Sequence, residues 1–189
     1  MARPLSDEKR SAILNAAAEV TAEHGVSGPI SKIARHAGVA EGTVFVYFPD
    51  KNELLNALYL AIKEDMALAL TTDLPKGKSL KAKARHVWNR YIEWGATHSS
   101  QRKAMSQLAV SDRITPATRE LGGAAFVEIG AMLQEVLAGG ALCDQPLEFA
   151  GAVMESLAEA TLSFIAREPK DVETYKHAGF AAFWGAVSK

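Results

Sequence analysis

Residues 31–51 (SKIARHAGVAEGTVFVYFPDK) contain the pattern that most limits the fold: two short helical segments separated by Gly38. Ser31 is placed to cap the first segment, since its hydroxyl can accept a hydrogen bond from a backbone N–H. Glycine readily adopts the left-handed backbone conformation that ends a helix, so the first segment is predicted to end at Gly38. The second runs from about Glu41 to Tyr47. Two helices joined by a short glycine-containing turn are typical of a helix-turn-helix, whose second helix enters the major groove of DNA.

The remainder of the chain also favours helices. Ala, Leu, Glu and Lys are abundant, whereas the alternation of Val, Ile and Thr that marks strands is nearly absent. Ser6, Asp50 and Thr115 are predicted N-caps. We therefore predict an all-α fold with nine helices, over about 7–24, 31–37, 41–47, 50–70, 79–97, 101–110, 116–138, 146–167 and 171–187.

These helices divide into two predicted domains. Residues 1–50 are expected to form a three-helix DNA-binding domain, with the helix-turn-helix motif at about 29–48. Residues 51–189 are expected to form a second helical bundle. Residues 71–78 (TTDLPKGK) contain helix-breaking proline and glycine and are predicted to be a linker. Arg3 belongs to a short N-terminal arm and is placed to reach the minor groove.

Net charge does not mark the chain as a nucleic-acid binder. The 189 residues include 21 Lys and Arg against 22 Asp and Glu, which gives a formal charge of −1. Residues 1–60 hold six Lys and Arg and seven Asp and Glu. Any affinity for DNA must therefore come from the local placement of a few groups.

Several other kinds of site lack support in the sequence. Cys143 is the only cysteine, so neither an intrachain disulfide nor a cysteine-rich zinc site is expected. No two of the five histidines are four residues apart, and no G-x-S-x-G occurs, so we expect no metal, no cofactor and no catalytic residue. Charged residues at positions 7–10 interrupt any signal-like apolar stretch, and no charge-free run is long enough to span a bilayer. This predicts a cytoplasmic protein with no membrane association.

Candidate DNA-contacting side chains lie in and beside the second helix of the motif. Thr43 and Tyr47 are four residues apart, so their hydroxyls share one helical face and can donate to phosphate oxygens. Lys51 begins the next helix, where its charge and free backbone N–H groups favour an anion. Phe45 and Phe48 are predicted to be core. The predicted DNA-binding set is Ser31, Lys32, Gly42, Thr43, Val46, Tyr47 and Lys51.

Sequence specificity cannot be predicted from the second helix. Its residues, EGTVFVY, include no Arg, Lys, Asn or Gln, the side chains that make bidentate hydrogen bonds to purines. Val46 and the methyl group of Thr43 can contact thymine methyl groups.

The motif resembles the TetR family of bacterial transcriptional regulators. The resemblance is carried by Ile33-Ala34, Ala37-Gly38-Val39, Gly42-Thr43, Tyr47-Phe48 and Lys51. It implies a TetR-like fold, in which the C-terminal helices form a ligand pocket and a dimer interface. It also implies that the residues at positions 43, 47 and 51 contact the DNA backbone. The expected protein is a homodimeric repressor on a near-palindromic operator of double-stranded DNA, released by a small-molecule effector.

Further blocks resemble the RamR-like branch of that family, repressors of multidrug-efflux regulons. These blocks are MARPLS, HAGVAEGTVFVYF, LLNALYLAIK, WNRYIEWG, QLAVSDRIT and SLAEATLSFIAR. The resemblance implies a pocket for lipophilic, often aromatic ligands. Met154 stands where that branch has its main stacking phenylalanine, and Gly151 replaces an acidic residue. The expected pocket residues are Tyr59, Met66, Trp88, Tyr91, Ile92, Met154 and Glu155.

The last two helices are rich in small residues, which let helices approach closely. Two such helices from each subunit can form a four-helix interface, so Gly151, Ala158, Phe180 and Trp184 are predicted to lie at a homodimer interface. An internal helical hairpin is the alternative. Two other functions also stay open from the sequence: a carrier or helical enzyme that uses the aromatic interior without DNA, and an activator in place of a repressor.

Overall fold

The computed structural model describes residues 6–188, so the predicted arm residue Arg3 lies outside the described residues. Within that range the chain is all-α, as predicted, and contains no strand. A 3-10 turn, Pro169–Asp171, precedes the last helix. The described part of the chain contains ten α-helices: α1 (Asp7–His24), α2 (Ile30–His36), α3 (Glu41–Tyr47), α4 (Lys51–Thr71), α5 (Leu80–Thr97), α6 (Ser99–Ala109), α7 (Pro116–Ala124), α8 (Val127–Leu137), α9 (Leu147–Arg167) and α10 (Val172–Val187).

Most helix ends follow the predicted local signals. The hydroxyl of Ser6 accepts a hydrogen bond from the Lys9 N–H, and Thr115 caps α7 in the same way. Gly38 has a φ of 65°, the left-handed conformation that ends α2. Because glycine lacks a Cβ, this conformation costs it little. The turn of the helix-turn-helix is therefore built as the sequence predicts.

The N-cap of α2 was predicted incorrectly. The helix begins at Ile30, and Pro29 occupies the capping position with an extended backbone. The carbonyl oxygen of Pro29 accepts the N–H groups of Lys32 and Ile33, at 3.1 and 3.3 Å. Ser31 therefore lies inside the first turn, exposed, and does not cap the helix.

The tenth helix arises from a break in a segment predicted as one helix over 116–138. The break falls after Gly122 and Gly123, whose low helix propensity weakens the segment. Gly122 is also required by packing, because a Cβ there would lie 2.7 Å from Cε1 of Tyr59. The chain therefore ends α7 at Ala124 and starts α8 at Val127.

The chain forms two compact units. Unit 1 extends to Asp65 and includes His98–Ala125, and unit 2 comprises Met66–Thr97 together with the residues from Phe126 onward. This division by packing differs from the predicted functional boundary between residues 50 and 51, which stays a prediction.

Unit 1 has an aliphatic core beneath the helix-turn-helix. Helix α1 packs against α2 and α6, and α2 packs against α3. Buried side chains from these helices and from α4 exclude water from the centre, which stabilises the unit through apolar burial. They include Ile13, Val20, Ile33, Val44, Leu54 and Leu58, each at most 2% exposed.

Unit 2 has an aromatic core around Trp88, which is 0% exposed. Its indole N–H donates to the carbonyl oxygen of Lys176 at 3.0 Å, so its polar atom is satisfied. The ring stacks on Phe183 at 6.1 Å between centroids and packs against Phe180 at 6.5 Å. A Cβ on Gly179 would lie 2.6 Å from Trp88 Cζ2, so α10 approaches the indole closely because residue 179 is glycine.

Candidate nucleic-acid interface

Helix α3 places one face in the core of unit 1 and the opposite face in solvent. Val44 is 1% exposed and Phe48, just after the helix, is 4% exposed. Val46, a predicted base-contacting residue, is 65% exposed, so its side chain is accessible to another molecule. Phe45 is 44% exposed, so its predicted place in the core is wrong. Val44 and Phe45 are consecutive in the helix, so their side chains point in different directions, and only Val44 faces the core.

Gly42 leaves an open place on the exposed side of α3. A Cβ built there would meet nothing within 4 Å, and its backbone φ does not lie in the left-handed region. Neither packing nor backbone conformation therefore requires glycine at this position. The surface is instead flat enough for another molecule to approach the helix closely.

The hydroxyl of Tyr47 is held in place by the backbone of Ser6, whose N–H donates to it at 2.9 Å. This contact uses the oxygen as an acceptor, and the phenolic hydrogen makes no bond to residues 6–188. A tyrosine in this arrangement is oriented and still able to donate to a phosphate oxygen. The same bond joins the start of α1 to the end of α3.

Thr43 and Lys51, the other two predicted phosphate-contacting residues, are both half-buried. The N–H groups expected to be free at the start of α4 are not. Asp50 Oδ1 accepts the N–H of Asn52 at 2.7 Å and that of Glu53 at 3.0 Å. Anion binding at this position therefore depends on the ammonium group of Lys51 rather than on those backbone donors.

Lys51 lies close to a second cation, Arg113, which the sequence did not identify. The pKa of the Lys51 ammonium group is lowered mainly by its partial burial and further by the positive charge of Arg113. The Arg113 guanidinium donates to Asn52 Oδ1 at 3.0 Å, across a separation of 61 residues. A contact so distant in sequence leaves no local signal that could have revealed it.

Two other basic residues of the motif, Lys32 and His36, contact side chains of α1. The ammonium group of Lys32 lies 2.8 Å from Nε2 of His24, to which it can donate. His36 Nδ1 lies 3.1 Å from Glu19 Oε2. Both contacts are exposed, so each contributes little to stability. They set the orientation of these side chains.

The predicted effector residues are divided between the two units. Tyr59 belongs to unit 1, where its ring lies against Gly122 and under the Lys63 ammonium group, at 5.9 Å from the centroid. The other six belong to unit 2. Four of them are buried and two lie nearer the surface: Met66, Trp88, Tyr91 and Ile92, then Met154, half-buried, and Glu155, exposed. Their predicted role as a pocket stays a prediction.

The four predicted interface residues differ in accessibility. Ala158 is 0% exposed and Phe180 is 2% exposed. Trp184 is half-buried, stacks on Phe180 at 6.0 Å and lies under the Lys81 ammonium group at 5.4 Å. Gly151 has open space beside its Cα, since a Cβ there would meet nothing within 4 Å.

Two aromatic side chains of α9 were not predicted as interface residues. Phe149 is 49% exposed and Phe164 is 43% exposed.

Across residues 6–188, no three His, Cys, Asp or Glu side chains are grouped so that they could hold a metal ion.

Comparison with known proteins places the motif in a family. Residues 13–58 match the family model described as "Bacterial regulatory proteins, tetR family". The chain is 33% identical over 81 residues to the fatty acid metabolism regulator protein of Bacillus subtilis, a match that covers 42% of each protein. It is 33% identical over 104 residues to the HTH-type transcriptional regulator TtgW of Pseudomonas putida, covering 54% of this chain and 73% of TtgW. The chain thus spans less than half the length of the Bacillus relative.

Solved structures share the fold along nearly the whole chain. A protein of Shewanella sp. PV-4 assigned to the tetR family of transcription regulators has a TM-score of 0.82 and 26% identity, covering 96% of this chain and 98% of that one. LfrR from Mycobacterium smegmatis, solved with proflavine, has a TM-score of 0.70 and 20% identity, covering 97% and 99%. With the helix-turn-helix geometry described above, these matches show that the chain belongs to the TetR family of bacterial regulatory proteins.

Proposed function

We propose that the chain is a DNA-binding transcriptional repressor that a small lipophilic or aromatic molecule releases from its operator. A regulatory function without catalysis agrees with the family to which the chain belongs. The observation that carries the proposal is the Tyr47 hydroxyl. Its oxygen accepts the Ser6 N–H at 2.9 Å, and its hydrogen stays available for a phosphate beside the exposed surface of α3.

In this proposal, contact with the DNA backbone and contact with the bases come from different side chains. Thr43, Tyr47 and Lys51 hold phosphates, which orients α3 in the major groove. Val46 and Phe45 then offer exposed apolar groups to thymine methyl groups. Because α3 has no side chain that pairs bidentately with a purine, part of the specificity would come from the shape and deformability of the operator.

A homodimer would place two copies of α3 on the half-sites of a near-palindromic operator. Helix α9 has an exposed apolar surface that includes Phe149 and Phe164, and this supports an interface with a second copy of the chain. Small residues at 178, 181, 182 and 185 are exposed on α10, where they would let a partner helix approach.

Helix α9 is also long and apolar enough to cross a membrane by length and composition, a test that helices of soluble proteins pass too. We assign its exposed face to dimerisation in a cytoplasmic protein.

The aromatic interior of unit 2 supports a flat or lipophilic effector. Trp88 and Tyr91, with Met66, Ile92, Met154 and Glu155, are the residues we propose for it. Rings bind flat ligands by stacking, and Glu155 could pair with a cation. Proflavine, present in the LfrR structure, is such a molecule. The RamR-like resemblance supports control of multidrug-efflux genes, or of the gene for their activator.

Fluorescence anisotropy with labelled duplex from the DNA upstream of the protein's own gene tests this function. We expect tight binding to that duplex, and we expect Tyr47→Ala and Lys51→Ala each to weaken binding about equally on different operator variants, because phosphate contacts carry no sequence information. Sequence-dependent losses would mean that these two residues contact bases.

Titration of proflavine, present in the LfrR structure, and of stearoyl-CoA, present in a structure of the regulator FadR from Bacillus subtilis, into the preformed complex tests release. A ligand dissociates the complex only if it prefers the conformation that does not bind DNA. We expect one of these probes to lower operator affinity. Ligand binding to a protein that shows no salt-dependent DNA affinity would favour the carrier function instead.

A further inference from the structure

The turn between α6 and α7 is hydrogen-bonded to the first two turns of α4. The Asn56 side-chain amide donates to the Arg113 carbonyl oxygen at 2.9 Å and accepts the Thr115 N–H at 3.0 Å. The Arg113 guanidinium donates to Asn52 Oδ1 at 3.0 Å. Three hydrogen bonds therefore hold this turn beside Lys51, in unit 1.

Further hydrogen bonds within the turn make the position of Arg113 well defined. The Arg119 guanidinium donates to the carbonyl oxygens of Ala109 and Ser111, both at 2.7 Å. The Ser111 hydroxyl accepts the Arg113 N–H at 3.2 Å. A side chain carried by a turn with this many bonds loses little further entropy when it binds a ligand.

Lys51 and Arg113 are neighbouring cations. Arg113 and Lys51 repel each other, and among residues 6–188 neither forms an ion pair with a carboxylate. Asp50 is the acid adjacent to Lys51, but its Oδ1 accepts the N–H groups of Asn52 and Glu53. Asp112, the acid adjacent to Arg113, is exposed and makes no ion pair with it. Two neighbouring cations of this kind are stabilised by an external anion.

We infer that Arg113 is part of the DNA-binding surface and holds, together with Lys51, a backbone phosphate of the operator. The inference rests on the proposed DNA binding and goes beyond it, because Arg113 lies outside the helix-turn-helix and its flanking helices α1 and α4. A planar guanidinium can donate two parallel hydrogen bonds to a phosphate, which an ammonium group cannot do. The α6–α7 turn would then contact operator DNA directly.

The test measures operator affinity by anisotropy at a series of KCl concentrations for the wild type and for Arg113→Gln. One phosphate contact contributes about 0.9 to the slope of log K against log salt for duplex DNA. We expect Arg113→Gln to make the slope shallower by about that amount and to weaken binding several-fold at low salt. The loss should be similar on operator variants and on unrelated duplex.

Three controls separate a phosphate contact from a structural role. Arg113→Lys keeps the charge and should keep most of the slope. Arg85→Gln removes a cation from unit 2 and should leave the slope unchanged. Because Arg113 and Lys51 share a phosphate in this account, the Lys51→Gln/Arg113→Gln double variant should lose less than the sum of the two single losses. Circular dichroism melting curves establish that each variant is folded.

An unchanged slope in Arg113→Gln would overturn the inference, even if affinity fell, because that pattern describes a residue that only supports the turn. A wild type without salt-dependent binding would overturn the proposed function as well, and it would be seen before any variant was compared.

Discussion

Gly42→Ala tests whether glycine at position 42 is required for folding or for DNA binding. A methyl group at this position meets nothing within 4 Å, and the backbone φ is not left-handed. The substitution therefore adds no steric cost in the unbound protein. It replaces glycine by the best helix former within α3, a gain of about 0.5–1 kcal/mol in the free energy of unfolding. For a domain of this size, each kcal/mol raises Tm by about 2–4 °C.

The same methyl group should weaken operator binding. It projects from the exposed side of α3, where Val46 is 65% exposed and where the proposal places the major groove. We expect affinity to fall by about tenfold or more, which corresponds to about 1.4 kcal/mol. The substitution thus makes the protein more stable and less active.

Calorimetry and anisotropy on the same preparations measure both effects. Gly123→Ala is the matched control, because its Cβ also meets nothing within 4 Å and the residue is exposed on α7 of the same unit. It should alter helix stability without altering DNA affinity. Operator affinity in Gly42→Ala equal to that of the wild type would refute the assignment of this face of α3 to DNA.

Three further predictions follow from individual contacts. Ala40→Ser supplies the side-chain cap that α3 lacks and should raise the free energy of unfolding by about 1 kcal/mol, measured by urea denaturation. Gly179→Ala forces a methyl group onto Thr161 Oγ1 and within 2.6 Å of Trp88 Cζ2, and should cost about 1–3 kcal/mol, whereas Gly185→Ala on the same helix should not destabilise. The pKa of Lys51 is lowered from its ordinary 10.5, and phosphate binds the charged form, so operator affinity should begin to fall as pH rises while still below 10.5. Lys51→Arg should remove that fall; an unchanged alkaline profile would exclude Lys51 as its cause.

The parts of the fold that local signals determine could be predicted from the sequence. Ser6 and Gly25 set the ends of α1, and Gly38 has the left-handed φ expected of it. Helix α3 runs over the predicted residues because the glycine-containing turn and the extended Phe48 determine both of its ends.

The features that could not be predicted from the sequence depend on competing hydrogen-bond acceptors or on contacts between residues far apart in the chain. Ser31 is a good capping residue, yet the cap position falls two residues earlier, at Pro29, whose carbonyl oxygen accepts the N–H groups of Lys32 and Ile33. Helical periodicity cannot assign Phe45 to one face within a helix of seven residues. Arg113 enters the candidate site only because the chain returns to Asn52 after 61 residues.

The measurement that tests the central claim most directly compares the upstream duplex with a scrambled duplex of equal length, by anisotropy at near-physiological salt. Specific sites of DNA-binding proteins are bound about 10³-fold or more tightly than non-specific ones. We expect a preference of that order. Tyr47→Phe should weaken binding to both duplexes by a similar factor, because the phenolic hydroxyl accepts the Ser6 N–H and donates to a phosphate, which carries no sequence information. Equal affinity for the two duplexes, or wild-type binding by Tyr47→Phe, would contradict the account.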